Sequence, residues 1–201
     1  MTFDLKRRAA AEFMGTGALV CAVVGSGIMA ERLTADTALA LLANALATAA
    51  ILVVLITTLG PISGAHFNPA VTAVFTSRGK LPGTEALAYV GAQAAGAVVG
   101  VAAAHLMVAL PMFTPSLTPR LGFAQWLAEI AATFGLVAAI LGGLRFRPDA
   151  VPWLVGLYIA AAYWFTSSTS FANPAVTLGR MLTNTFSGIR PMDAPAFIVA
   201  A

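Results

Sequence analysis

The sequence predicts an all-α membrane protein: an inverted-repeat bundle of six transmembrane helices plus two re-entrant half-helices, with the sixth helix truncated. Three observations predict it. Of 201 residues, 59% are hydrophobic and only 9% are charged, whereas a soluble surface needs roughly a quarter charged residues. Long apolar stretches of bilayer-crossing length follow one another along the chain. The pentapeptide Asn-Pro-Ala-Val-Thr occurs twice, starting at Asn68 and at Asn173. The same composition excludes disorder, which needs low hydrophobicity and high net charge. A disulfide-stapled scaffold is excluded because Cys21 is the only cysteine. A net charge of +3, with no basic run longer than Lys6-Arg7-Arg8, argues against a nucleic-acid partner.

A hydrocarbon core about 30 Å thick needs roughly 20 helical residues at about 1.5 Å each. Residues 9–29, 37–59, 86–110, 121–144 and 151–171 meet that length, and none holds more than one acidic residue. Only helices or a closed barrel satisfy backbone groups in hydrocarbon, and the lack of period-two alternation selects helix. Residues 9–29 follow Lys6-Arg7-Arg8 as a signal peptide would. The run is too long for one, contains Glu12 and leads to no convincing cleavage site, so it reads as an uncleaved first span. On 86–110, Gly96 and Gly100, with Gly91 before them, form a small-xxx-small pair suited to close helix packing. Gly15 and Gly17 follow no strand and make no nucleotide motif. Lys6, Arg7, Arg8, Arg78, Lys80, Arg145 and Arg147 fall on one side of the membrane, against Arg32, Arg120, Arg180 and Arg190 on the other. The positive-inside rule then puts the amino terminus in the cytoplasm of a multi-pass protein of the cell (inner) membrane.

The repeat extends beyond the pentapeptide. Ser63-Gly64-Ala65-His66-Phe67-Asn68-Pro69-Ala70-Val71-Thr72 parallels Ser168-Thr169-Ser170-Phe171-Ala172-Asn173-Pro174-Ala175-Val176-Thr177, and Ala11-Glu12-Phe13 parallels Ala128-Glu129-Ile130. The chain reads as one channel domain, 1–201, built from a first repeat, 1–110, and a second, 121–201, incomplete at its end. Each repeat contributes three spans, and an odd number inverts the second in the membrane. Asparagine is a preferred N-cap and proline is tolerated at the first helical position, so each Asn-Pro-Ala starts a helix. Those helices, near 69–78 and 174–184, have about half the length of a span and must stop halfway across. Inverted symmetry brings both caps to the midplane, each presenting a positive helix end and an amide to a shared cavity. Internal alignment matches 196–201 with 88–93, so the chain stops one or two turns into its sixth helix. Either the chain is shortened there or a seam of the bundle faces lipid.

The paired motifs, with Glu12 and Glu129, resemble the aquaporin and aquaglyceroporin family, the major intrinsic proteins, over essentially the whole chain. The resemblance implies a right-handed bundle assembled as a homotetramer with one pore per subunit. Its partners would be small neutral solutes and the lipid bilayer, and no cofactor or metal is implied. Asn68 and Asn173 each accept a backbone N–H bond through the side-chain carbonyl and keep an NH2 donor for a solute oxygen. Gly64, Ala65 and His66, like Thr169, Ser170 and Phe171, are expected to be irregular backbone at membrane depth, which must line a wet cavity or be buried. For His66 a pore-bordering place and a plain packing role are both open, and His105 is expected at an interface. Glu12 and Glu129 are intramembrane acids, hence functional candidates. They relay protons, bind a cation or accept hydrogen bonds that hold the re-entrant loops, and the resemblance implies the third role. Counted back from the asparagines, the resemblance places the narrowest constriction at Thr48, Ala161, Ser170 and Val176. Most members carry arginine where Val176 stands, and a bulky aromatic where Thr48 stands. Valine supplies neither the donors nor the charge of arginine. Small side chains at all four places imply a wide, arginine-free filter and argue against a water-only pore.

These readings predict a passive channel for small uncharged solutes: glycerol, urea, neutral metalloid hydroxides such as arsenite, and water. The alternative is a proton- or ion-coupled carrier that uses Glu12 and Glu129. An enzyme would need convergent nucleophiles, acids or metal ligands, which two separated glutamates, two unconnected histidines and one cysteine do not make. The hydroxyl cluster Thr166, Ser167, Ser168, Thr169 and Ser170 has no nearby base and reads as polar lining that satisfies backbone groups.

Overall fold

Side-chain caps fix where four of the helices begin. In the computed structural model, which describes residues 3–201, Asp4 accepts from Arg7 N at the start of α1, Leu5–Leu33. Asp36 accepts from Ala38 N and Leu39 N at the start of α2, Thr37–Ser63. Asn68 and Asn173 cap the two short helices, α3, Pro69–Ser77, and α7, Pro174–Arg180, each with proline in its first turn. The remaining helices are α4, Gly83–Met107, α5, Phe123–Phe146, α6, Val151–Phe165, and α8, Ala194–Ala200, with a 3-10 turn, Pro148–Ala150, leading into α6. No strand occurs among the described residues.

Helices α1, α2, α4 and α5, of 29, 27, 25 and 24 residues, are long and apolar enough to cross a bilayer. The fifth expected span, 151–171, is corrected: α6 stops at Phe165 after 15 residues. Thr166 turns the chain extended (φ −106, ψ 135) while its hydroxyl donates back to Ala162 O at 2.6 Å. Beyond it Thr169 and Ser170 have positive φ, so 166–171 belong to a re-entrant loop rather than to the helix. Helix α7 likewise ends at Arg180, short of the expected residue 184.

The second half repeats the neighbours of the first. Helix α1 packs on α2 and α4, as α5 packs on α6 and α8; α3 lies against α4 as α7 lies against α8. Helices α2 and α6 meet across the seam between halves, and so do α3 and α7. Matched aromatic pairs carry the same symmetry, His66 with Tyr89 at 5.3 Å between centroids and Phe171 with Phe197 at 5.0 Å. This agrees with the alignment of 196–201 on 88–93. The α1–α4 contact is made by backbone: a Cβ on Gly96 would collide with Phe13 O, and one on Gly100 with Gly17 O. Gly91 has open space and takes no part. Leu46, Leu87, Phe134, Trp153 and Leu157 are exposed around the bundle, an apolar belt that suits lipid rather than water.

Candidate functional site

Two irregular loops meet where α3 and α7 begin, and their backbones match residue for residue. Gly64 (φ 90) pairs with Thr169 (φ 61), Ala65 (φ 52) with Ser170 (φ 49), and Phe67 (φ 48) with Ala172 (φ 46). Left-handed backbone at a non-glycine residue costs on the order of 1–3 kcal/mol and persists only where surroundings impose it. The glutamates impose it here. Glu12 accepts from Ser63 Oγ at 2.6 Å, His66 N at 2.9 Å, Phe67 N at 2.7 Å and Gln93 Nε2 at 2.8 Å. Glu129 accepts from Phe171 N at 2.9 Å and Ala172 N at 2.8 Å. Both carboxylates are fully buried.

The two asparagines fasten the halves together. Asn68 Oδ1 accepts from Ala70 N at 2.8 Å, and its Nδ2 donates to Ala172 O at 2.7 Å. Asn173 Oδ1 accepts from Ala175 N at 3.0 Å and Val176 N at 3.3 Å, and its Nδ2 donates to Phe67 O at 2.8 Å. An amide nitrogen carries two hydrogens, so each asparagine keeps one donor beyond the reciprocal bond. Pro69 and Pro174 occupy first-turn positions whose N–H would have no helical partner.

A cavity of about 200 Å³ runs past both asparagines. Gly64, Ala65, His66, Ser170 and Phe171 line it, as do Thr48 and Val176. Thr169 does not. Ala161 is corrected: it is exposed on the outer side of α6, and Tyr163, with Ile159, faces the cavity instead. Positions 159 and 163 are one turn apart, while 161 lies on the opposite side of the helix. Tyr163 OH stands 3.3 Å from Thr48 Oγ1, so an aromatic side chain lines the cavity beside Thr48 where a small residue was expected. Ser170 Oγ is buried with no partner among the described residues. Leu19, Val23, Leu52, Leu136 and Val155 supply the apolar wall.

Two arginines that sequence reasoning counted as loop charges are drawn into this site. Arg180 lines the cavity at 2% exposure, its Nε donating to Ser187 O and its guanidinium 3.3 Å from the Phe171 ring centroid. Arg120 lies on the same ring at 5.1 Å and donates to Gly188 O and Ser168 O. Helical spacing carries the missed signal, since Arg180 follows Val176 by one turn on the same face of α7. At the other end Arg8, Arg78, Lys80 and Arg145 surround a hollow of about 730 Å³. Of these, Arg8 is paired with Glu85 at 2.6 Å. His66 Nδ1 lies 3.1 Å from Thr72 Oγ1. His105 sits away from the cavity, held at 2.7 Å by both Pro111 O and the Thr183 hydroxyl. In the hydroxyl cluster, Thr166 and Ser167 donate to backbone carbonyls, Ser168 Oγ accepts from Ser170 N, and only Ser170 reaches the cavity.

Known proteins carry the same pattern. A profile of the family described as Major intrinsic protein matches residues 1–147. Over 198 residues the chain is 66% identical to Aquaglyceroporin AqpS of Rhizobium meliloti (strain 1021), covering 98% of this chain and 85% of that protein. Over 144 residues it is 35% identical to the Glycerol uptake facilitator protein of Bacillus subtilis (strain 168), covering 63% of this chain and 52% of that one. The X-ray structure of the aquaglyceroporin from Plasmodium falciparum shares the fold, with a TM-score of 0.71 over 98% of this chain and 94% of that one, at 22% identity. By these likenesses the chain belongs to the major intrinsic protein family, and it is a passive membrane channel for small solutes.

Proposed function

We propose that the channel conducts small uncharged solutes that have both carbon and oxygen faces: glycerol, urea and neutral metalloid hydroxides such as arsenite, with water as a companion. The amphipathic cavity carries this reading. Most of its lining is aliphatic, and among it stand the amides of Asn68 and Asn173, each with a spare hydrogen, the unpartnered Ser170 hydroxyl and Tyr163. A polyol passes such a lining by exchanging hydrogen bonds with the polar groups while its C–H groups stay out of water against the aliphatic ones. The filter is formed by Thr48, Ser170 and Val176, with Tyr163 in place of Ala161. The names of the relatives, an aquaglyceroporin and a glycerol uptake facilitator, support the same substrate class.

The protein works as a homotetramer in the cell (inner) membrane, with its amino terminus in the cytoplasm, and residues 1–110 and 121–201 are its two inverted repeats. The hollow that gathers Arg8, Arg78, Lys80 and Arg145 would be the cytoplasmic mouth, in line with the positive-inside rule. A coupled carrier would need Glu12 or Glu129 to meet the solute. Neither lines the cavity, and their oxygens accept from loop backbone N–H groups. Stopped-flow swelling of proteoliposomes tests the reading. Glycerol and urea fluxes are expected to rise linearly with the gradient and to ignore a pH difference; steep saturation with pH-driven uptake would establish the carrier.

A further inference from the structure

Arg180 is a buried cation that the reading above leaves without a task. Among the described residues no carboxylate lies within ion-pair distance of it. Its Nε is bound by Ser187 O, and the face of Phe171 supports the guanidinium plane. The terminal nitrogens donate to no group among the described residues, and they belong to a side chain that lines the cavity. The buried Glu129 carboxylate acts on it only from beyond ion-pair distance, and a guanidinium buried with no directly bonded counter-ion is costly unless something in the site uses it. A second guanidinium against the same ring, Arg120, adds to the positive field instead of cancelling it.

We propose that Arg180 is a specificity-determining residue of the conduit: its free N–H fork meets solute oxygens, and its charge turns away cations. This rests on the channel reading above. Arg180 lies four residues after Val176 on α7, about 6 Å further along the helix axis. Bulk and charge are thereby separated. The ring at Thr48, Ser170, Val176 and Tyr163 sets the width, while the guanidinium one turn on supplies charge and donors without filling that ring. Its charge adds to the positive ends of α3 and α7, so that both oppose a cation in the conduit.

Full-length protein in proteoliposomes tests this with Arg180→Leu, Arg180→Lys and the double variant Arg180→Leu/Val176→Arg, reading glycerol flux, water flux and sodium leak together. Arg180→Leu is expected to raise sodium leak by roughly tenfold or more, since a fixed charge in a poorly screened site is removed. The double variant, with a guanidinium restored one turn inward, should return the leak to the parent level. Arg180→Lys keeps the charge and loses the planar fork, so it should keep sodium out while changing the glycerol-to-water flux ratio several-fold. An Arg180→Leu protein that is monodisperse, conducts glycerol and excludes sodium as the parent does would overturn the proposal. Should that variant not fold, an Arg180→Lys flux ratio equal to the parent's overturns it. Absence of glycerol flux in the unmodified protein would instead sink the channel reading itself, a distinguishable outcome.

Discussion

Val176 stands in the cavity wall beside the Asn173 cap, where its side chain adds little volume and no donor. Val176→Arg introduces both, and should slow glycerol and urea more than water by roughly tenfold, the effect of about 1.4 kcal/mol. Relative fluxes measured by stopped-flow swelling check this, and an unchanged ratio removes Val176 from the filter. The two glutamates give a graded prediction. Glu12 holds its loop through two backbone and two side-chain donors, whereas Glu129 holds its own through two backbone N–H groups with the Ser168 hydroxyl beside it, and has no counterpart of Gln93. Glutamine at either place points an NH2 group at groups that themselves donate. Replacing a carboxylate that accepts charge-assisted bonds costs roughly 2–3 kcal/mol, and the larger loss of folded protein is expected for Glu12→Gln. Size-exclusion yield and melting temperature in detergent give the comparison. Normal yield of Glu12→Gln with pH-dependent flux abolished would favour a carrier.

Helix α1 lies against α4 through glycines, so this contact depends on absent side chains. Gly100→Ala puts a methyl onto Gly17 O and should destabilise the protein by about 1–3 kcal/mol, the usual cost of overpacking. Gly91→Ala meets nothing and should leave the thermal midpoint unchanged or slightly raised. Equal midpoints for the two variants would mean that the helices adjust freely. Element lengths also explain what could be read in advance. Spans α1, α2, α4 and α5 were legible because apolar length alone specifies them. The end of α6 was not, because Thr166 to Phe171 are apolar or neutral enough to continue a span, and only the hydroxyl bond at Thr166 and the positive φ values beyond it end the helix. Counting residues back from Asn173 therefore selected Ala161 without regard to the phase of α6, which turns Tyr163 inward.

Across the whole molecule, the twofold repetition made the architecture readable. Two Asn-Pro-Ala caps and two matching glutamates define a pseudo-twofold relation, and the reciprocal bonds from Asn68 to Ala172 O and from Asn173 to Phe67 O realise it. Arg180 escaped because a basic residue near a helix end reads as topology. Its burial depends on Phe171 and Ser187, contributed by segments on either side of α7 that no local pattern brings together. The reciprocal bonds also set a timetable for synthesis. The carbonyl that Asn68 needs lies 104 residues later in the chain, roughly 5–20 s of translation. All four donors to Glu12 belong to the first repeat and are made before that delay begins or early within it. The nascent first loop is therefore held by its own glutamate while it waits for its partner. Ribosome-arrested chains ending at residue 147 should resist protease at residues 64–68 when Glu12 is present and be cut there when it is glutamine, while the finished protein with Glu12 resists throughout. Equal cleavage of both arrested chains would show that the first loop is ordered only after the second half has been made.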